Sequence, residues 1–224
     1  MEGRTEARRT VVHGDALAWL ADNPRRPGIS VIASLPDVSE LGTGMADWEA
    51  TFRRAATLSL EATPDDGVAI FFQTDLKREG RWISKAAMVL GAGAAAGVPL
   101  LWHKLVCRKS PGEISRGRPG FSHLLAFSRG VRDDANRPSP DVLDSLGHMP
   151  WSHSMGTRAA EASVAFVRRF SPATHTIVAP FCGVGTVLAV ANAAGLAAIG
   201  IEWNRRRAET AQGFELPRPE ETVA

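Results

Sequence analysis

The chain has 224 residues, 44% of them hydrophobic and 22% charged, with a net charge of +2. That size and composition fit one soluble globular domain whose core needs no disulfide, and the two cysteines, Cys107 and Cys182, form no CxxC and read as reduced thiols of a cytoplasmic protein. No signal peptide is visible, the longest apolar stretch (86–102) is interrupted by glycines and Pro99, which excludes a membrane span, and the near-neutral charge leaves a nucleic-acid partner open without arguing for one.

In chain order, TEARRTVVHGD (5–15) reads as a buried strand stopping at a polar tip, and DALAWLADN (15–23) as a helix closed by NPRRPG. A second buried strand follows over 28–36. An amphipathic helix over 47–62 carries Trp48, Phe52, Ala55, Ala56, Leu58 and Leu60. After a PDDG turn come a strand over 68–73 and a helix over 82–96. Two strands, 100–107 and 122–128, bracket a polar Gly/Arg loop. Residues 130–150, rich in Pro and Asp, read as a loop. The remainder is a helix over 157–170, a strand over 176–179, a helix over 185–194, a strand over 197–202 and a helix over 204–213. The tail ELPRPEETVA is expected to be disordered. Strands alternating with helices predict an α/β domain with a mostly parallel sheet covered on both faces.

PFCGVGTVLAVANAAGLAAIGIE (180–202) is the most informative stretch. Gly183 and Gly185 let the chain turn sharply from strand to helix, so that free helix N–H groups face a ligand. Glu202, ending the next strand, is placed to accept from two ribose hydroxyls. The other reading of these residues is a tight turn and a solvated glutamate.

This segment resembles the AdoMet-binding segment of the permuted (beta-class) amino-methyltransferases of DNA and RNA, which typically read DPFCGSGTT, then a helix, then a strand ending IGIE. HGDALAWL (13–20), ASLPD (33–37), LLWHKLVCRK…SHLLAFSR (100–129) and HSMGTRAAEASVAFVRR (153–169) follow the same family in the same order. The resemblance implies a Rossmann-like class I methyltransferase fold, circularly permuted, with a mostly parallel seven-stranded sheet, one antiparallel strand and helices on both faces. It implies a single domain over 1–213: a catalytic half at 9–130, a short variable insertion at 131–150 and an AdoMet-binding half at 151–213. It also implies an enzyme transferring one-carbon groups from S-adenosyl-L-methionine (AdoMet).

By the same resemblance, Gly183 and Gly185 line the methionine part of the cofactor, with Cys182 in the same loop. Phe181 packs on the adenine, Asp15 accepts from its amino group, and Glu202 holds the ribose. Thr186 and the stretch from His153 to Thr157 meet the carboxylate. The family's catalytic tetrapeptide, (D/N/S)PP(Y/F), falls on Ser34-Leu35-Pro36-Asp37. Ser34 and Pro36 match; Leu35 stands in place of proline and Asp37 in place of the aromatic that stacks on an extruded base. Asp37 is read as accepting a proton or holding a cationic group, or else as capping the next segment. Ala179 replaces the family's usual aspartate.

Gln73, Asp75 and Lys77 are expected to face Asp37, with Asp75 counted among the catalytic residues, the other reading being a solvated strand-to-helix loop. Arg108, Lys109, Arg116 and Arg118 make the loop after residue 107 a phosphate-contacting element, the bland alternative being a soluble loop. Core packing is expected for Trp48, Trp82, Trp102 and Trp151. His103 and His123 lack metal-ligand spacing, so no metal is expected. The stretch 130–150 is too short for a recognition domain, which points to a structured RNA, tRNA or rRNA, as substrate. A small-molecule methyltransferase and a catalytically degenerate binding subunit are the alternatives; a homodimer or a partner subunit is left open.

Overall fold

The structure, a computed structural model, describes residues 8–42, 44–134, 136 and 138–217. The beginning of the expected first strand and the end of the expected tail lie outside these residues. The elements, in chain order, are β1 (Arg9–His13), α1 (Ala16–Asp22), β2 (Ile29–Ala33), α2 (Val38–Leu41), α3 (Met45–Ala62), β3 (Ala69–Gln73), β4 (Leu76–Arg78), β5 (Arg81–Ile83), α4 (Lys85–Ala95), β6 (Leu100–Cys107), β7 (Phe121–Phe127), β8 (Val142–Leu143), α5 (Thr157–Phe170), β9 (Thr176–Pro180), α6 (Thr186–Ala193), β10 (Ala197–Glu202) and α7 (Arg205–Gly213).

Eight strands form one sheet in the order β1-β10-β9-β2-β3-β7-β6-β8. β7 alone runs against its neighbours, β3 and β6; the other pairings are parallel. The central strands β2, β3 and β9 are buried at every position, because helices cover both faces and leave no polar side for alternation. Side chains still alternate between faces. Phe71, Leu125 and Phe127 join Trp48 and Phe52 of α3 and Val89 of α4 on one side. Ile70, Phe72 and Leu124 join Val164 of α5 and Leu188 of α6 on the other.

Three expectations are corrected. β1 is a half-buried edge strand. The expected helix from residue 82 begins only at Lys85. Before it, β4 and β5 form a hairpin turning at Glu79 (φ 50°) and Gly80 (φ 71°), the two left-handed residues of a type I′ turn. The expected loop at 130–150 supplies an eighth strand, since β8 pairs with β6. Lys104, almost fully buried, pins that stretch to the sheet edge by donating to the carbonyls of Ser139 (3.1 Å) and Pro140 (2.9 Å).

The first strand, β1, pairs with the last, β10, and the glycine-loop strand β9 sits inside the sheet. From β9 the chain crosses through α6 to β10 on one side. From β2 it crosses through α3 to β3 on the other. The β9–β2 junction is therefore the point where strand order reverses, and an open α/β sheet carries its ligand crevice at that point, outside the carboxyl ends of the strands.

Candidate functional site

A cavity of about 340 Å³ opens at this junction. Its wall comes from the ends of four strands: Asp15 and Ala16 after β1, Ser34 and Pro36 after β2, Phe181 to Val184 after β9, and Glu202 and Trp203 after β10. Most of that wall is apolar, as a site for a flat heterocycle requires. Phe181 holds φ at 60°, a left-handed conformation costing a non-glycine residue roughly 1–2 kcal/mol. Gly185 holds φ at 93°, and a Cβ on it would stand 2.9 Å from the Cα of Ala211, so the loop can rest on α7 only with glycine there.

Glu202 is buried and ties the cavity together. Its Oε2 accepts from the Gly183 amide (3.1 Å), and its Oε1 accepts from the Asn204 amide (2.9 Å) and from the Arg207 guanidinium (2.7 Å). Arg207 lies over the Trp151 ring at 4.9 Å and reaches Glu40 at 4.0 Å. Asp15 caps α1 through a bond from the Leu17 amide (2.8 Å). Burial, followed by the charge of Glu202, pushes the Cys182 thiol up to about 12, so it stays protonated and is no nucleophile at neutral pH. Two buried hydroxyls of residues on the wall, Thr186 Oγ1 at the start of α6 and Ser154 Oγ, have no hydrogen-bond partner among the described residues. Buried polar groups are rarely left so.

A second, smaller cavity of about 30 Å³ adjoins the first and shares Ser34, Glu40, His153 and Ser154 with it. Asp37, Gln73, Lys85, Arg108 and Arg118 line its polar side. Asp37 caps α2 in a reciprocal capping box with Glu40. Its Oδ2 also meets Arg118 at 3.3 Å and Lys85 at 3.5 Å. Burial holds the Lys85 ammonium below the usual lysine range, and Asp37 opposes that shift. Arg108 is held below the usual arginine range by burial and then by the charge of Arg118. The Gln73 amide nitrogen is buried without a partner. The Pro36 carbonyl is occupied, accepting from the Trp48 indole at 3.0 Å.

The structure thus brings Ser34, Pro36, Asp37, Gln73, Arg108, Arg118, Asp15, Phe181, Cys182, Gly183, Thr186, Glu202 and His153 to the two cavities. Gly185 and Thr157 stand behind the wall; the Thr157 hydroxyl accepts from the His148 amide (3.0 Å). Lys109 pairs with Glu113, Arg116 is exposed, and Lys77 donates to the Ser115 carbonyl and lies over the Trp82 ring; none of the three lines either cavity.

Asp75 is also elsewhere. It accepts from the Trp82 indole (2.7 Å), the Ala86 amide (3.2 Å) and His123 Nε2 (3.2 Å), joining the hairpin, the start of α4 and the sheet. Because Asp75 needs a donor at Nε2, His123 accepts at Nδ1 from His103, 2.8 Å away. Burial alone would raise the Asp75 carboxyl, but the bonds from His123, Trp82 and Ala86 outweigh it and bring it from 3.8 to about 2. A carboxylate so depressed contributes about 2 kcal/mol above pH 4, lost as the pH falls through 2. Asp75→Asn is therefore expected to lose about that much stability in urea at pH 7, with the gap to wild type closing in acid; a gap unchanged at pH 2 would refute this origin.

Lys85, Arg207 and Glu40 were not anticipated at the site. Lys85 is one charge opening an apolar helix, and Arg207 stands five residues beyond Glu202. Those were faint signals. Of the tryptophans, Trp48 and Trp102 are in the core, Trp82 is half-exposed, and Trp151 lies on the cavity wall. Among the described residues no group of His, Cys, Asp and Glu is arranged to hold a metal, and no helix is long and apolar enough to cross a membrane.

No protein-family model and no curated protein matches the sequence. Solved structures do match in fold. TTHA0409 of Thermus thermophilus, assigned as a DNA modification methylase, superposes with a TM-score of 0.67 at 20% identity over 91% of this chain and 92% of its own. Its complex with S-adenosyl-L-methionine gives 0.65 at 20% identity, with 91% of each chain covered. The PvuII DNA methyltransferase, cytosine-N4-specific, gives 0.70 at 16% identity over 97% of this chain and 90% of its own. These neighbours overturn the RNA target expected from the sequence, and with it the RNA-contacting role of the loop after residue 107. That expectation rested on compactness, yet neighbours nearly coextensive with this chain carry DNA names. The chain has the circularly permuted, Rossmann-like class I methyltransferase fold, with β1 and β10 joined where an unpermuted chain would run through.

Proposed function

We propose that the protein is an AdoMet-dependent DNA methyltransferase that modifies a base nitrogen. The observation carrying this reading is the pair of adjoining cavities at the switch point, one large and apolar, one small and polar, sharing Ser34, Glu40, His153 and Ser154. The large cavity suits the cofactor. Phe181 offers a face for adenine, Glu202 an oxygen for the ribose, and the unpartnered Thr186 and Ser154 hydroxyls can meet the amino-acid end. Asp15 and Glu40 are further acids on that wall, so an ammonium has partners although position 179 carries alanine. When bound, AdoMet supplies an electrophilic methyl group on a sulfonium. The chain's own part is to exclude water and to align the acceptor from the smaller cavity, where Ser34 can take a hydrogen from the target nitrogen. A base needs more room than that cavity now has. Arg118, 40% exposed, closes it through its bond to Asp37, and such a partly exposed pair costs only about 0–1 kcal/mol to break.

The reading of DNA as acceptor is supported by the names of the coextensive neighbours. The test is transfer of labelled methyl from AdoMet to PCR-amplified genomic DNA, which carries no modification. A methylated base in the nuclease digest is the expected result. AdoMet binding without transfer to DNA, or transfer to a metabolite extract alone, would overturn the proposal.

A further inference from the structure

We infer that His153 is the catalytic residue that removes the proton from the methylated nitrogen, an assignment that rests on the methyltransferase reading above. His153 belongs to the wall of both cavities, where donor and acceptor must meet. Its ring packs on Trp151 with centroids 4.8 Å apart, and Trp151 in turn lies against the glycine loop, 3.5 Å from where a Cβ on Gly183 would stand, and under Arg207. The imidazole is held by this tilted ring contact, and among the described residues neither ring nitrogen has a hydrogen-bond partner. It retains an uncommitted lone pair.

The acids that line the smaller cavity, Asp37 and Glu40, and Glu202 behind them are engaged by donors; Asp15 lines only the larger cavity. Asp37 is occupied by the Val38 amide, Lys85 and Arg118. Glu202 is occupied by two amides and Arg207. Glu40 accepts from the Asp37 amide and faces Arg207. A carboxylate held by cations is a weak proton acceptor, whereas a neutral imidazole is suited to the task near neutral pH. In the step proposed, the lone pair of the acceptor nitrogen forms the N–CH₃ bond while the C–S bond breaks and its electron pair stays on sulfur. The nitrogen is left cationic. A ring nitrogen of His153 takes the surplus proton, restores the neutral amine and later releases the proton to solvent. No oxidant or further reactant is needed.

The experiment compares wild type with His153→Ala on PCR-amplified genomic DNA, with and without added imidazole, and measures AdoMet affinity by calorimetry. Turnover is expected to fall about 10²–10⁴-fold, AdoMet affinity to stay unchanged, and imidazole to recover turnover. If the alanine variant does not fold, His153→Gln, which keeps the bulk but cannot shuttle a proton, should show the same loss. AdoMet affinity falling in step with turnover would make His153 a cofactor ligand and overturn the assignment. So would full activity, or a loss that imidazole does not relieve. Absence of transfer by the wild type would overturn the methyltransferase reading itself, and this assignment with it.

Discussion

Asp37→Ala is expected to lower the unfolding free energy by about 3–5 kcal/mol, the usual result of removing one partner of a buried ion pair. The Lys85 side chain is only 4% exposed and sits between Asp37 and the rings of Trp48 (5.6 Å) and Phe52 (5.9 Å). Without Asp37, burial of the Lys85 ammonium is opposed only by the weaker pull of Glu40, and the lysine must either lose its proton or draw water into the site. The α2 cap disappears with it, worth a further ~1 kcal/mol. Adding Lys85→Met should recover most of the loss, because a thioether fills the same slot among the aromatics without charge. The two substitutions should therefore be non-additive by at least ~1 kcal/mol in urea unfolding at pH 7. AdoMet affinity should change little, since Asp37 lines only the smaller cavity. A single variant as stable as wild type would show that the pair with Lys85 contributes nothing to stability.

Glu202→Gln is expected to weaken AdoMet binding about 100-fold or more, equivalent to ~2.7 kcal/mol. The substitution removes the charge that fixes Arg207, and it sets an amide NH₂ among donors that need an acceptor: the Gly183 amide, the Asn204 amide and the guanidinium. The glycine loop then loses its side-chain tether to β10 and keeps only the backbone bond from the Cys182 amide to the Ile201 carbonyl (3.0 Å). The same change has a second readout in Cys182. Burial and then Glu202 hold that thiol up at about 12, so removing the negative charge lowers it while burial still keeps it above an exposed thiol. In a Cys107→Ala background, alkylation of Cys182 at pH 9 should run faster in the Glu202→Gln variant than in its parent, and AdoMet should slow it in the parent. Equal alkylation rates together with unchanged AdoMet affinity would remove Glu202 from the site.

The buried strands and long helices were legible because their signals are local. ISVIA and TIVAP are short, mostly apolar runs without alternation, and the apolar spacing of α5 marks the span 157–170 that the structure shows. The hairpin β4–β5 was not legible, because LKREGRWI has no apolar alternation and its turn rests on Glu79 at positive φ, a conformation no residue type there announces. Asp75 shows the same limit at the site. On the sequence, an acid two residues beyond a strand end is a candidate for chemistry; in the fold, Trp82, His123 and the Ala86 amide converge on it from three elements and make it a brace. The order of elements, the glycine loop and Glu202 are each written in contiguous residues whose spacing sets backbone geometry, and so could be read before any fold was seen; the permutation was read from the resemblance of those segments to a known family. Tertiary packing was needed to bring Lys85 and Arg118 onto Asp37, to lock Arg207 against Glu202, and to stand His153 between two cavities. Those relations join residues up to 81 positions apart, and nothing in the local sequence prescribes the distance between them.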